Sequence, residues 1–282
     1  PEVDLSYKIE QLGDSAGILQ DILDGKNNFA DVLDKAKKPM IILGQGALNR
    51  MDSHGILKLV YDIVDKYSLV KDDWNGFNVL QTAASRVAAL DMELVRDGGV
   101  DAIISGAEGG DIKVVYNLGA DEIDSKRLKK AFVIYQGSHG DEGVRNADVI
   151  LPGTAYTEKS GTYLNTEGRV QRTQQAIFGP GEAREDWTIF RALSEVIGNT
   201  LSFDDIVQLR AALIEDYPHF AILDRKPIAE WANTGTMAPL LNVGFTMAIS
   251  DFYATNPIAR ASETMKECRN AMSNPNHAEG AT

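Results

Sequence analysis

The stretch QGSHGDEG places Ser138, His139 and Asp141 within four residues, the three residue types of a hydrolytic triad. In that chemistry imidazole takes the serine proton while the carboxylate orients the ring, and the three converge from distant parts of a chain. Neighbours on one short segment do not line up that way. The segment reads instead as a flexible turn after a strand, with His139 bonded to a backbone group. Paired carboxylates offer acid–base chemistry next. Asp148, Glu158 and Glu167 lie near one loop, but Lys159, Arg169 and Arg172 are interleaved with them, which predicts mutual neutralisation. No catalytic residue is assigned.

The loop from Pro152 to Thr173 has the build of a cofactor cradle. Gly153, Gly161 and Gly168 would free backbone amides, and Arg169 would meet a phosphate. The same residues also make a rigid hairpin that buries Tyr156 and Tyr163 and satisfies its own polar groups. No cysteine or other soft ligand lies nearby to hold a metal, which favours the hairpin. A second loop, GQGALN, follows an apolar run and invites a nucleotide reading. The dinucleotide fingerprint needs a third glycine where Asn49 stands, so Gly44 and Gly46 read better as a tight turn.

Composition narrows the chemistry further. Cys268 is the lone cysteine, so no intrachain disulfide forms and no iron–sulfur cluster can be held by this chain's own thiolates. Its surroundings, Lys266, Glu267 and Arg269 in a helical pattern, make it a bystander. His54, His139, His219 and His277 show no metal-ligand spacing. The charge is −13, from 28 basic and 41 acidic residues, which argues against nucleic acid as a partner. Leu240 to Ile249 is the nearest approach to a membrane span and is too short. The chain opens on proline rather than methionine, as a processed chain or a piece of something longer would.

The elements that must position these loops read as α/β. Leu12, Ile18, Leu19, Ile22 and Leu23 predict a short helix feeding a linker, giving a helical and linker segment over 1–36. Met40 to Leu43 predicts a strand covered on both faces. Asp52 or Ser53 can cap the next helix, where Ile56, Leu59, Val60, Ile63 and Val64 form one apolar stripe. Val79 to Ala88 predicts a second helix. Strands are expected at Val114–Leu118, Phe132–Gln136 and Val149–Leu151. Their spacing implies crossovers and a mainly parallel, doubly wound sheet over 37–217, with loops clustered at the strand carboxyl ends. Trp187, Phe190, Leu193 and Ile197 predict a helix face stopped by Gly198, and a further helix fits Phe203–Glu215. From Pro218 the prolines predict an extended tail over 218–282, wrapped on the domain or on a partner. The closing SNPNHAEGAT is expected to be unstructured.

NADVILPGTAYTEKSGTYLNTEGRVQRT resembles a signature of the molybdopterin oxidoreductases: a strand ending in Leu-Pro, a glutamate, then a hairpin ending Asn-x-Glu-Gly-Arg. With KPMIILGQGALNR, NLGADE, IYQGSHGDEG, GEAREDWTIFRALSEVIG and DFYATNPIARASETMKEC, the resemblance narrows. Those blocks are similar to the C-terminal part of the 75 kDa iron–sulfur subunit family of respiratory complex I, across residues 38 to 268. DFYATNPIARASETM resembles the mitochondrial form. The resemblance implies a molybdopterin-oxidoreductase-like α/β domain without a molybdenum cofactor, in the peripheral arm on the matrix side of the mitochondrial inner membrane. Its partners would be other matrix-arm subunits, and the N-terminal iron–sulfur part of the same subunit would hold the clusters. If the loop keeps a trace of a cofactor site, Gly153, Thr154, Asn165, Glu167 and Arg169 form it. The expected role is a non-catalytic scaffold. The alternatives are a molybdopterin enzyme gripping a pterin nucleotide through the loops after Leu43, Gln136 and Leu151, and a free nucleotide-binding module using Gly44 and Gly46.

Overall fold

The computed structural model describes residues 6–273. They form two compact units. One takes in the chain up to Val87 with Thr166–Gly168 and Pro227–Ser250; the other takes in Ala88–Asn165, Arg169–Lys226 and the chain from Asp251. Residues 227–250 of the proline-broken tail group with the first unit, and the tail from Asp251 with the second.

The first unit contains α1 (Gly17–Leu23), α2 (Phe29–Lys35), β1 (Ile41–Gly44), α3 (Gln45–Leu48), α4 (Ser53–Lys66), β2 (Val70–Lys71), β3 (Trp74–Asn75) and β4 (Phe77–Leu80). Its core is the apolar stripe of α4. Ile56, Val60 and Val64 pack with Leu43, Leu69 and Ala16, and Ile63 packs with Ile22 and Leu33. Each such side chain contributes about 1.5–3 kcal/mol by leaving water. Residues 17–35 are thus a packed helix pair rather than a helix and a linker. β1 and β4 pair in parallel with Leu43 opposite Val79. Val79 and Leu80 belong to that strand, which corrects the helix expected from Val79. The pairing with β1 overrides a run of residues that suits either element. Nor is β1 covered on both faces. Strand alternation turns Ile41 and Leu43 to the core and leaves Ile42 56% exposed.

Residues 227–250 cross this unit without regular structure and are held along their length. Trp231 forms edge-on contacts with Tyr61 and Phe77, at 5.1 and 5.4 Å between ring centres, and donates to Asp65 Oδ1 at 2.6 Å. The Phe245 amide donates to the Asp14 carbonyl at 2.6 Å. Asp52 precedes α4 but forms no side-chain cap there. Its carboxylate instead accepts from Arg50 Nε and Nη2, at 2.8 and 2.9 Å, and from the Leu241 amide at 2.9 Å. The Arg50 guanidinium holds the Asp52 carboxyl down at about 2; the Leu241 amide adds to this and burial opposes it. The expected cap residue is thus a tail anchor.

After α5 (Arg86–Asp91), which runs from the last residues of the first unit into the second, the second unit contains α6 (Gly99–Gly109), β5 (Val114–Leu118), β6 (Phe132–Gly137), β7 (Val149–Pro152), β8 (Thr162–Leu164), β9 (Val170–Arg172), α7 (Asp186–Val196), α8 (Ile206–Asp216), α9 (Pro257–Ala261) and α10 (Glu263–Ser273). The order β5-β6-β7 is parallel, with Val114 opposite Phe132 and Ile134 opposite Val149. Each crossover carries a single 3-10 turn, at Ser125–Leu128 and Glu142–Val144. α6 packs Ile104 and Ala107 on Val133, Leu128 and Ala131. β8 and β9 form an antiparallel hairpin that buries Leu164 and Val170. The described residues thus mix helices with parallel and antiparallel strands, an α/β architecture.

α7 carries Trp187, Phe190 and Leu193 half-buried, but Ile197 is exposed, and Gly198 stops the helix in the left-handed region at φ 77°. Asp205 caps α8 by accepting from the Val207 and Gln208 amides, both at 2.8 Å. The tail is not extended from its start: Pro218–Ala221 form a 3-10 turn that buries Phe220, residues 227–250 run without regular structure, and Asn256 caps α9 ahead of Pro257. Apart from Ser273, the closing segment expected to be unstructured lies outside the described residues.

Candidate functional site

Parallel strands end together, so their following turns converge on one edge of the sheet, where α/β proteins place ligands. Here the turns after β5 and β6 converge on a cavity of about 360 Å³ lined by Gly119, Asp121, Gly137 and His139. The buried Tyr135 hydroxyl lies 3.0 Å from both Asp121 Oδ2 and the His139 carbonyl oxygen. Burial, and next the Asp121 carboxylate, push that phenol far above its ordinary range. Asp121 Oδ1 accepts from the Gly143 amide at 3.0 Å, so the crossover turn is tied beneath the crevice.

The far wall is the tail. Asn256, Pro257 and Ile258 line the cavity. From the next turn of α9, Arg260 reaches the carboxylates of the β5 and β6 loops. Its Nε pairs with Asp141, its Nη2 donates to Glu122 Oε1 at 2.8 Å, and its Nη1 donates to the Ala254 carbonyl at 3.0 Å. These bonds raise the Arg260 pKa despite an opposing effect of burial, which is the largest single contribution. Asp141, one of the three residues considered for a triad, is therefore committed to Arg260. Ser138 Oγ meets His139 Nδ1 at 3.0 Å on the surface, and no carboxylate among the described residues bonds that ring. The Arg260 cluster has no local signature, because Arg260 lies 119 and 138 residues from its two carboxylates. The Asn-Pro step at 256–257 was the one local sign of a helix start there.

The candidate loop residues divide. Gly153 and Thr154 sit where β7 ends; a Cβ on Gly153 would lie 2.9 Å from Asp186 Oδ1. Asn165 and Arg169 close the hairpin turn, with the Arg169 amide on Asn165 Oδ1 at 3.0 Å and the Asn165 amide on the Arg169 carbonyl at 3.1 Å. Arg169 Nη1 also donates to the Asp224 carbonyl at 2.7 Å. Glu167 groups with the first unit, the other four with the second. The hairpin reading needs two corrections. Tyr156 is 63% exposed rather than buried, because it stands in the open stretch before β8. Charges across the loop also do not simply neutralise one another. Lys159 pairs with Asp186, Glu158 accepts from the Ala155 amide at 3.0 Å, and Asp148 accepts from the Val133 amide at 2.7 Å.

A molybdenum–pterin nucleotide would bring phosphates and a soft metal to this edge. The residues present do not fit it. Asp121 lines the crevice with its carboxylate, and the Arg260 guanidinium on α9 is taken up by Asp141 and Glu122. Among the described residues, no three of His, Cys, Asp and Glu gather as a metal-binding group. Cys268 lies on α10. In GQGALN, a Cβ on Gly46 would lie 2.6 Å from the Thr246 carbonyl oxygen, so the tail backbone lies against this turn, while a Cβ on Gly44 would meet nothing within 4 Å. No helix among the described residues is long and apolar enough to cross a membrane.

A family model described as molybdopterin oxidoreductase matches residues 1–196, and one described as the C-terminal part of the NADH-ubiquinone oxidoreductase G subunit matches residues 225–268. The chain is 43% identical over 274 residues to the NADH-ubiquinone oxidoreductase 75 kDa subunit of Reclinomonas americana, covering 95% of this chain and 39% of that protein. It is 42% identical over 275 residues to the mitochondrial NADH-ubiquinone oxidoreductase 78 kDa subunit of Candida albicans, covering 93% and 37%. It is 38% identical over 263 residues to the NADH-quinone oxidoreductase G subunit of Rickettsia bellii, again covering 93% and 37%. The chain thus spans under two fifths of the length of these curated relatives.

Proposed function

The chain belongs to the molybdopterin oxidoreductase family, and on that premise we propose that it is a non-catalytic scaffold within NADH–ubiquinone oxidoreductase. It corresponds to the C-terminal part of the 75 kDa-type subunit, and its partners are the other peripheral-arm subunits and the iron–sulfur part of the same subunit. It lies on the matrix side of the mitochondrial inner membrane. The parallel β5-β6-β7 strands belong to a doubly wound sheet of the kind the family implies. The chain supports NADH-to-ubiquinone electron transfer without carrying an electron itself.

One observation carries the reading. The sheet edge where such folds take a cofactor is bridged by the chain's own tail, through Arg260 on Asp141 and Glu122. A group that strips electrons needs a ligand set and an open crevice, and this edge supplies three carboxylates and a protein plug. The test is an affinity tag on the chain in its native source, followed by native electrophoresis with an in-gel NADH oxidation assay. The tagged chain is expected in the band that oxidises NADH, and its depletion is expected to remove that band. Migration of the chain away from all NADH-oxidising activity would refute the assignment.

A further inference from the structure

A cavity of about 390 Å³ opens between the start of β8, the start of α7 and one face of α8. Trp187, Ile206, Leu209 and Leu213 make its walls largely apolar. One cation is set into them without a counter-charge of its own. Arg210 Nε is buried with no hydrogen-bond acceptor among the described residues, and Nη2 finds only the Gly161 carbonyl, at 3.4 Å. The neighbouring charges are engaged elsewhere: Lys159 with Asp186, and Glu185 with the indole N–H of Trp187 at 2.8 Å. Burial, and next the Arg172 guanidinium, hold the Arg210 pKa below its ordinary value, while Glu185 acts the other way. Arginine does not shed its proton in proteins, so this position keeps a charge whose one acceptor, the Gly161 carbonyl, is long.

We propose that this cavity binds an organic carboxylate with an apolar body. Its head lies on Arg210 and its body lies against Trp187, Leu209 and Leu213. A carboxylate supplies a charged acceptor to the guanidinium lining the cavity, whose Nη2 has only a long bond to the Gly161 carbonyl. The body leaves water for the apolar walls. The volume falls in the range of small-ligand sites, roughly 300–1,000 Å³. Inorganic phosphate would gain the first interaction but not the second, and a neutral alcohol the second but not the first.

The test is isothermal titration of the full chain with octanoate, 1-octanol and inorganic phosphate. Octanoate is expected to saturate one site per chain. Octanol and phosphate are each expected to bind about tenfold or more weakly, the factor that one unmade contact of about 1.4 kcal/mol gives. Arg210→Met is expected to lose octanoate binding by a similar factor while its thermal midpoint rises, since the uncompensated charge is gone. Leu213→Trp, which fills the cavity and keeps Arg210, is expected to lose binding as well. The proposal is overturned if octanoate shows no saturable site, if octanol or phosphate binds as tightly as octanoate, or if either folded variant keeps full affinity.

Discussion

Replacing Arg260 by methionine keeps much of the aliphatic stem and removes the charge that fastens α9 to the sheet edge. The three bonds lost are unequal. Glu122 is 62% exposed, so its pair contributes less than about 1 kcal/mol. Asp141 is 24% exposed, between an open surface pair and a buried one, whose truncation costs about 3–5 kcal/mol. The Ala254 carbonyl also loses its donor. About 2 kcal/mol is the resulting cost, and it falls on tail docking rather than on the β5–β6–β7 sheet. At about 1.4 kcal/mol per decade, local opening then becomes roughly 30-fold more frequent. Native-state hydrogen exchange reads this directly. The helical amides of α9, such as Ala261, should exchange about 30-fold faster, while Val133 to Gln136 on β6 keep their wild-type rates. Unchanged exchange in α9 would refute the clamp. Equal acceleration across β6 would show that Arg260 serves global stability and not the tail.

Other consequences lie in the first unit. Gly46→Ala would set a Cβ 2.6 Å from the Thr246 carbonyl oxygen; overpacking of this kind costs about 1–3 kcal/mol, and urea unfolding followed by tryptophan fluorescence should show it. Asp52 has a folded pKa of about 2, below the ordinary 3.8. Its contribution of about 2 kcal/mol is therefore fully present above the unfolded value and lost as pH falls from about 4 towards 2. Asp52→Asn should lower stability near neutrality by that amount and flatten the acid limb of stability measured against pH. In the second unit, Asp205→Ala removes the acceptor of two α8 amides and should cost about 1 kcal/mol by thermal unfolding.

How far the structure could be read from the chain depended on whether the deciding partner was local. β5, β6 and β7 were legible because each is a short apolar run closed by turn residues, and the α4 stripe was legible because its period is its own. Asp52 suits a cap by type and place; its carboxylate is instead taken by Arg50, two residues away, and by the Leu241 amide, 189 residues away. Gly46 suggested a turn because nothing near it in sequence shows that residue 246 passes within contact. Val79 was drawn into a helix because an apolar pair ending a strand and a run of alanines starting a helix form one pattern. At the candidate site, the adjacency of Ser138, His139 and Asp141 already argued against a triad, and the group that takes up Asp141 was not visible. Asp141 faces Arg260, a residue with no motif around it. The family blocks named the superfamily while leaving the tail's course unstated, because the course depends on packing rather than on any short signature.

If these 282 residues hold no electron carrier, elemental analysis of this segment purified free of the iron–sulfur part of the subunit is decisive. Inductively coupled plasma mass spectrometry, paired with electron paramagnetic resonance of the dithionite-reduced sample, should find molybdenum, tungsten and iron far below one atom per chain and no paramagnetic centre. Stoichiometric metal with a matching resonance signal would contradict the account.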